Sequence, residues 1–410
     1  MNEVQVKHRA GWHWLATFLT ASAMLLASVP ALAAKEIRIG LINSHGARSS
    51  GALAYRNGAT LAAAEINAEG GVLGRQIVLV SRDDDGSADD AVRNARSLIN
   101  ADKVEVLTGS MLSNVALAVA RTAAATKTVF VVGDALTDAI TLDKGNRYTF
   151  RLRPSTYMQA AMLAEQAARL PLRRWAIIAP NYEYGQSAVA NFKLLLKERR
   201  PDVSFVAEQW PALGKMNAAV AVKAIKQANP DAILNVTFGA DMEAFAAEGR
   251  REDLFSSARV FSMSSSESRD EAISSALNGW TVIGYPSEQL ATPEHQRFVE
   301  AYVKRFGEQP HLASVFGYSA MLAITAGIRK AGTDNSEKLV LAMRGLSLPT
   351  PLGPVMFRAL DQQSSMGAFI GTLTQKDGHT VLGSWRYLDG TGYMPADTYV
   401  RGRRPAAAMR

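Results

Sequence analysis

From Glu36 onward the sequence repeats one short grammar, and that repetition constrains the fold more than any single residue does. A short apolar run rich in β-branched residues is followed by a turn and then by a longer segment of helical period. EIRIGLIN from Glu36, QIVLVSR from Gln76, VEVLTG from Val104, TVFVVG from Thr128 and YTFRLR from Tyr148 are the first five runs. They are near-continuous rather than alternating, as expected of strands covered on both faces, which implies a parallel sheet with crossover helices. Between them, GALAYRNGATLAAAEINA from Gly51 places Ala54, Gly58, Leu61 and Ala62 on one helical face, and Gly70 to Gly74 closes the segment.

The grammar restarts after Pro154. A helix from Ser155 to about Leu170 precedes the runs RWAIIAP from Arg174, VSFVAEQW from Val203, DAILNVTFG from Asp231, ARVFSMS from Ala258 and GWTVIGYP from Gly279. Helices are expected to begin near Tyr184, Met216, Asp241 and Glu267. After Pro286 come a helix with Phe298, Tyr302 and Phe306 on one face and a long apolar helix near 314–330. The closing runs PVMFRAL, AFIGTLTQ and VLGSWRYL alternate and read as antiparallel additions. The expected fold is α/β: two doubly wound parallel-sheet lobes, the first opening at Glu36 and the second after Pro154. In such sheets a ligand sits beyond the carboxyl ends of the strands, so the strand-to-helix loops facing an interlobe cleft are the place to look.

The ends of the chain speak to compartment. Lys7 and Arg9 precede the apolar run Leu15 to Pro30, and Ala31, Leu32, Ala33 and Ala34 offer a cleavage site of signal-peptide type, so residues 1–33 read as an export signal cut near Ala33 or Ala34. No later segment reads as long and apolar enough to span a bilayer. The chain has no Cys, which excludes disulfides, thiolate nucleophiles and cysteine-ligated metals. Losing one acid and two bases with the signal lowers the net charge of +7 only by one, yet the Lys and Arg residues are scattered and form no nucleic-acid-binding stripe. The basic tail, residues 398–410, reads as a mobile terminus. No HExxH, GxSxG or Walker-type loop appears, and the six His residues are dispersed, so neither an enzyme nor a metal or cofactor site is expected. Asp83, Asp84 and Asp85 read as a strand-end loop that, with Ser87, Asp89 and Asp90, favours the next helix N-terminus.

The order of segments, the block NGATLAAAEINAEGGVLGRQIVLVSRDD and the block GSMLSNVALAVA together resemble the branched-chain amino acid type of periplasmic solute-binding proteins of ABC importers. The resemblance spans Glu36 to about Tyr393 and rests on the ordered set, since no single motif is decisive. It implies a type I periplasmic-binding fold whose three crossings, near Arg153, Pro286 and Asp361, divide the chain into lobes of residues 36–153 plus 287–360 and 154–286 plus 361–397 that close on an amino acid. It also implies a monomer that delivers its ligand to membrane permease and ATPase subunits, with no nucleic acid involved. By position in the family's loops, Ser113 would bind a carboxylate with Met111 and Leu112 nearby, Ala135 and Thr137 would add a backbone group and a hydroxyl, and Tyr184 would close from the second lobe, where Phe238 faces the same cleft. Independently of the resemblance, Ser113 suits a helix cap whose free N–H groups attract anions. Two departures stand out. The first loop is NSHGARSSG, bringing His45 and Arg48 toward the cleft, where a guanidinium could grip a carboxylate. The family's ammonium-binding acid falls near SMSSSES, at Ser265 or Glu267, which leaves a carboxylate without an amine as an open alternative. A ligand-sensing receptor module of the same fold also remains open.

Overall fold

The computed structural model describes residues 35–46, 50–265, 271–376 and 379–409. Residues 1–34, Arg48 and Glu267 lie outside the described residues, and so do the expectations placed on them. In the first lobe, β1 (Ile37–Asn43), β2 (Ile77–Asp83), β3 (Val106–Gly109), β4 (Val129–Val132) and β5 (Thr149–Arg151) pair in the order β2-β1-β3-β4-β5. Every pair is parallel. The unbroken apolar runs follow from burial on both faces. Ile37, Ile39, Leu41 and Val131 pack against α1 (Ser50–Ala68), α10 (Leu312–Ala331) and α11 (Ser336–Met343). Leu107, Phe130 and Val132 pack against α2 (Ala88–Asn100) and α3 (Ser113–Thr126) on the other face. Helices α1 and α10 cross closely because each has a glycine at the contact. A Cβ on Gly58 would lie 1.9 Å from Ser314 O, and one on Gly317 would lie 1.9 Å from Tyr55 O.

The second lobe contains β6 (Arg174–Ile178), β7 (Ser204–Gln209), β8 (Ala232–Asn235), β9 (Arg259–Ser262) and β10 (Thr281–Gly284), extended by β13 (Ala368–Lys376) and β14 (His379–Leu388). The sheet order is β14-β13-β10-β9-β8-β6-β7, parallel except for the antiparallel pairings of β13. Helices α4 (Thr156–Ala168) and α5 (Glu183–Arg199) cover one face, where buried Trp175 meets Phe192 and Phe261 at ring-centroid distances of 5.3 and 5.2 Å. Helices α6 (Ala218–Gln227), α7 (Gly239–Arg251) and α8 (Glu271–Ala276) flank the other. Helix α9 (Pro293–Phe306) returns to the first lobe and packs on α1. PVMFRAL contributes less strand than its sequence suggests: only Val355–Met356 (β12) pairs, antiparallel to Ser347–Leu348 (β11).

The chain passes between the lobes three times, at residues 152–155, 285–292 and 357–367. The first and third passages run side by side, with Arg151 N–H donating to Gln362 O at 3.0 Å and Ser364 N–H to Arg151 O at 2.9 Å.

Two expectations are corrected. Helix α10 does have the length and composition of a membrane span, but most of it is buried against α1 and the first sheet, which explains its apolar character. The basic terminus is packed, not free. Helix α12 (Asp397–Arg403) leads into Arg404, which is 3% exposed and donates to Thr141 O, Asp361 O at 3.0 Å, Asn146 O at 3.1 Å and the Gln362 side chain. Replacing Arg404 by Ala strips these acceptors of their donor in a site closed to water and should cost about 3 kcal/mol, since each abandoned buried group is worth about 1–3 kcal/mol. Urea unfolding checks this: a free tail would leave the midpoint unchanged.

Candidate functional site

Each sheet has one place where the strand order reverses, and the two reversals face the same cleft. In the first lobe it lies between β1 and β3, in the second between β6 and β8. The loops leaving these strands at their carboxyl ends form the crevice that open α/β sheets offer to ligands. Ser113 follows β3, Ala135 and Thr137 follow β4, Tyr184 follows β6 and Phe238 follows β8.

On the first-lobe side, Ser113, Ala135 and Thr137 are brought together and buried. Their polar groups are largely engaged, Ser113 by Thr137 and the others by neighbouring residues. Ser113 does not cap α3 through its side chain: Leu112 holds the cap position, and Ser113 Oγ instead accepts from Thr137 N–H at 3.2 Å. This happens because β3 and β4 are neighbours, so the loop after β4 folds over the start of α3. Ala135 N–H donates to Ser110 O at 2.9 Å, which occupies the backbone donor expected of it. Met111 N–H donates to Asn43 Oδ1 at 2.9 Å, and the Met111 and Leu112 side chains stay half-buried beside this ledge.

The second lobe supplies aromatic surface. Tyr184 is buried and meets Phe238 at 5.9 Å and Tyr182 at 6.1 Å between ring centroids. Burial pushes the Tyr184 phenol well above its usual range, with the Arg153 charge pulling partly back, so it is a neutral hydrogen-bonding group at any working pH. The lobes meet where Thr137 Oγ1 donates to Glu183 Oε1 at 2.7 Å and where Asp138 accepts from Ser187 Oγ at 2.7 Å and Asn191 Nδ2 at 3.2 Å.

Other candidates fall elsewhere. Ser265 lines a separate groove of about 990 Å³ with Tyr285, Gln289 and His311, and none of Ser113, Thr137 or Tyr184 lines it. His45 turns away from the cleft, its Nε2 lying 2.9 Å from Ser81 Oγ. Asp241 accepts from Gly214 N–H at 2.7 Å and Met216 N–H at 3.4 Å, and so anchors the loop before α6. Asp83 and Asp84 brace their own loop, and Ser87 caps α2 by accepting from Asp90 N–H. Among the described residues no group of three or more His, Asp or Glu could hold a metal.

The sequence reading missed Arg153 and Asp134. Asp134 follows β4 and is buried; Arg153 follows β5, donates to Asp134 Oδ1 at 2.5 Å and to Asp134 O at 3.1 Å, and stacks over Phe316 with 4.4 Å from guanidinium carbon to ring centroid. Two opposite charges directly after adjacent strands were the only available signal.

The comparisons agree with this architecture. The family model described as periplasmic binding protein matches residues 36–379. The chain belongs to the periplasmic binding protein family. This periplasmic binding protein is 26% identical over 353 residues to the Leu/Ile/Val-binding protein BraC3 of Rhizobium johnstonii, covering 83% of this chain and 93% of the relative. It is likewise 26% identical to Leu/Ile/Val-binding protein homolog 7 of Brucella melitensis, over 71% of this chain and 76% of that one. Among solved structures, an amino acid ABC transporter substrate-binding protein from Pseudomonas fluorescens superposes with a TM-score of 0.78 at 22% identity, covering 90% and 99% of the two chains. A solute-binding protein from Rhodopseudomonas palustris in complex with 3,4-dihydroxybenzoic acid gives 0.76 at 24% identity, covering 87% and 98%.

Ser113 is therefore expected to act through Thr137. Ser113→Ala should leave the buried Thr137 N–H unpaired at a cost of about 1–3 kcal/mol. Hydrogen exchange should accelerate at residues 136–140, whereas loss of a helix cap would show first in the opening turn of α3.

Proposed function

We propose that this periplasmic binding protein is the solute-binding component of an ABC importer, exported by cleavage near Ala33 or Ala34 and acting as a monomer. It captures a small organic carboxylate between its lobes and delivers it to the permease, performing no chemistry on it. The observation that carries this reading is the meeting of the two switch points: the Ser113–Ala135–Thr137 ledge of one lobe stands against the Tyr184–Phe238 pair of the other, across the Thr137–Glu183 bond. Such a site has a polar floor and an aromatic lid, as expected for a small ligand with one charged end.

The family resemblance favours an amino acid of branched-chain or similar type. A second reading, an aromatic or aliphatic acid without an amine, is supported by the disposition of the second-lobe acids. Among the described residues, Glu183 Oε1 is turned onto the Thr137 hydroxyl and Asp241 onto the two backbone N–H groups before α6, so an ammonium group would have to share a carboxylate already engaged.

A thermal-shift screen of the solute-free protein against L-leucine, L-phenylalanine, benzoate and 4-hydroxybenzoate tests the proposal. A ligand at 100 times its Kd stabilises the native state by about 2.7 kcal/mol and should raise the melting temperature by several degrees. Stabilisation by amino acids alone selects the first reading, and stabilisation by benzoates selects the second. Tyr184→Ala should weaken whichever ligand binds by about 10- to 100-fold, through lost aromatic packing of about 1.5–3 kcal/mol. No stabilisation by any acid would refute the carboxylate reading.

A further inference from the structure

With the Ser113 hydroxyl engaged by Thr137 N–H, Ala135 N–H by Ser110 O and the Thr137 hydroxyl by Glu183, the ledge needs another group to meet a carboxylate. Arg153 has capacity left. Both of its bonds to Asp134 use Nη1, while the buried Nε has no partner among the described residues. In a guanidinium, Nε–H and the adjacent Nη2–H point the same way and form the side edge that accepts a carboxylate bidentately. Stacking on Phe316 fixes the plane of that edge. A small void beside Arg153, lined also by Gln159, Ile283, Phe316 and Phe369, places the residue at the base of the cleft between α10 of the first lobe and the β10–β13 edge of the second.

The ledge leading to it carries two more unspent polar groups. Among the described residues, Asn43 Nδ2 and Ser110 Oγ are buried without partners. Ser110 is held in the left-handed region at φ 62° by its N–H to Ile42 O and by the bond it accepts from Ala135. Buried donors left unpaired are uncommon and costly, and strained backbone persists where surrounding structure enforces it, often at ligand sites. From Asn43 through Ser110 and Asp134 to Arg153 the groups form one line, linked by Met111 N–H to Asn43 and Ala135 N–H to Ser110.

We infer that Arg153 is the specificity-determining anion receptor of this site, gripping the ligand carboxylate through its Nε edge while Asp134 remains on Nη1 as a built-in counter-ion. The inference rests on the carboxylate-binding reading above. A neutral amide cannot make the charge-assisted pair with that edge, so the pocket selects acids over their amides.

Calorimetric titration of the solute-free protein tests this, with benzoate, L-phenylalanine and L-leucine as probes, each paired with its amide. Arg153→Gln should weaken the bound acid at least about 30-fold, the scale of losing a buried charge-assisted pair, and abolish the preference for acid over amide. Arg153→Lys, which keeps the charge but not the side edge, should fall in between at about tenfold. A folded Arg153→Gln protein that keeps the wild-type affinity and preference overturns the inference while leaving the importer reading intact. Should Arg153→Gln fail to fold, Arg153→Lys decides: a folded variant with the wild-type affinity and the wild-type preference for acid over amide overturns the inference. A wild-type protein that binds none of the acids overturns both readings at once.

Discussion

Arg151 sits at the end of β5, fully enclosed, and its guanidinium ties together three parts of the molecule that would otherwise be independent. Nε donates to Gln363 Oε1 at 2.6 Å on the third interlobe passage, Nη1 to the carbonyls of Leu136 and Thr137 in the site loop, and Nη2 to Thr141 Oγ1 at 3.0 Å. Burial lowers its pKa to about 10, with Asp138 and Asp361 pulling it back up, so the group stays charged. A buried charge without a touching carboxylate is tolerable here because a neutral oxygen meets each of its three nitrogens. The position of Thr137, and with it the bond to Glu183 that joins the lobes, depends on this side chain together with Ser113.

The hinge inherits its character from the same network. The first and third passages are bonded to each other through main chain and through Gln363, which also donates to Arg153 O at 2.9 Å. Arg404 reaches the third passage from the opposite side, binding Asp361 O and the Gln362 side chain. Burial lowers Arg404 to about 10 as well. Both positions use the planar fork of arginine to reach several acceptors at once, which a lysine ammonium could not reproduce. Two buried cations thus brace the third passage from both sides. Relative motion of the lobes must come from backbone torsions in all three passages, residues 152–155, 285–292 and 357–367, which is how hinge proteins close.

The lobes were legible because parallel strands covered on both faces leave a strong local signature, and the runs beginning at Glu36, Val104, Arg174 and Asp231 each became strands. The loops after those strands were legible for the same reason, which is why Ser113, Thr137, Tyr184 and Phe238 converge. The hydroxyl directions were not legible. Ser113 reads equally well as a helix cap or as an acceptor for Thr137, and only the adjacency of β3 and β4 separates the two. Arg404 in RGRRPAAAMR has the composition of a loose tail; its acceptors at Thr141, Asn146 and Asp361 are remote in sequence and carry no periodic signal. Arg153 and Asp134 lie 19 residues apart, and their pairing is set by the order β4-β5.

That order also explains why a charged pair can exist at the cleft floor. Asp134 leaves β4 and Arg153 leaves β5 on the same edge of the sheet, so each finds the other before any ligand arrives. A lone buried arginine there would leave the empty cleft with an uncompensated cation, costing several kcal/mol of desolvation. Pairing it with Asp134 offsets that cost yet consumes only one edge of the guanidinium, because Asp134 bonds through Nη1 alone. A binding protein must give up its cargo as well as capture it. A receptor cation that keeps a partner after the carboxylate leaves makes the released state less costly than one left bare, and the internal ion pair serves both halves of the cycle.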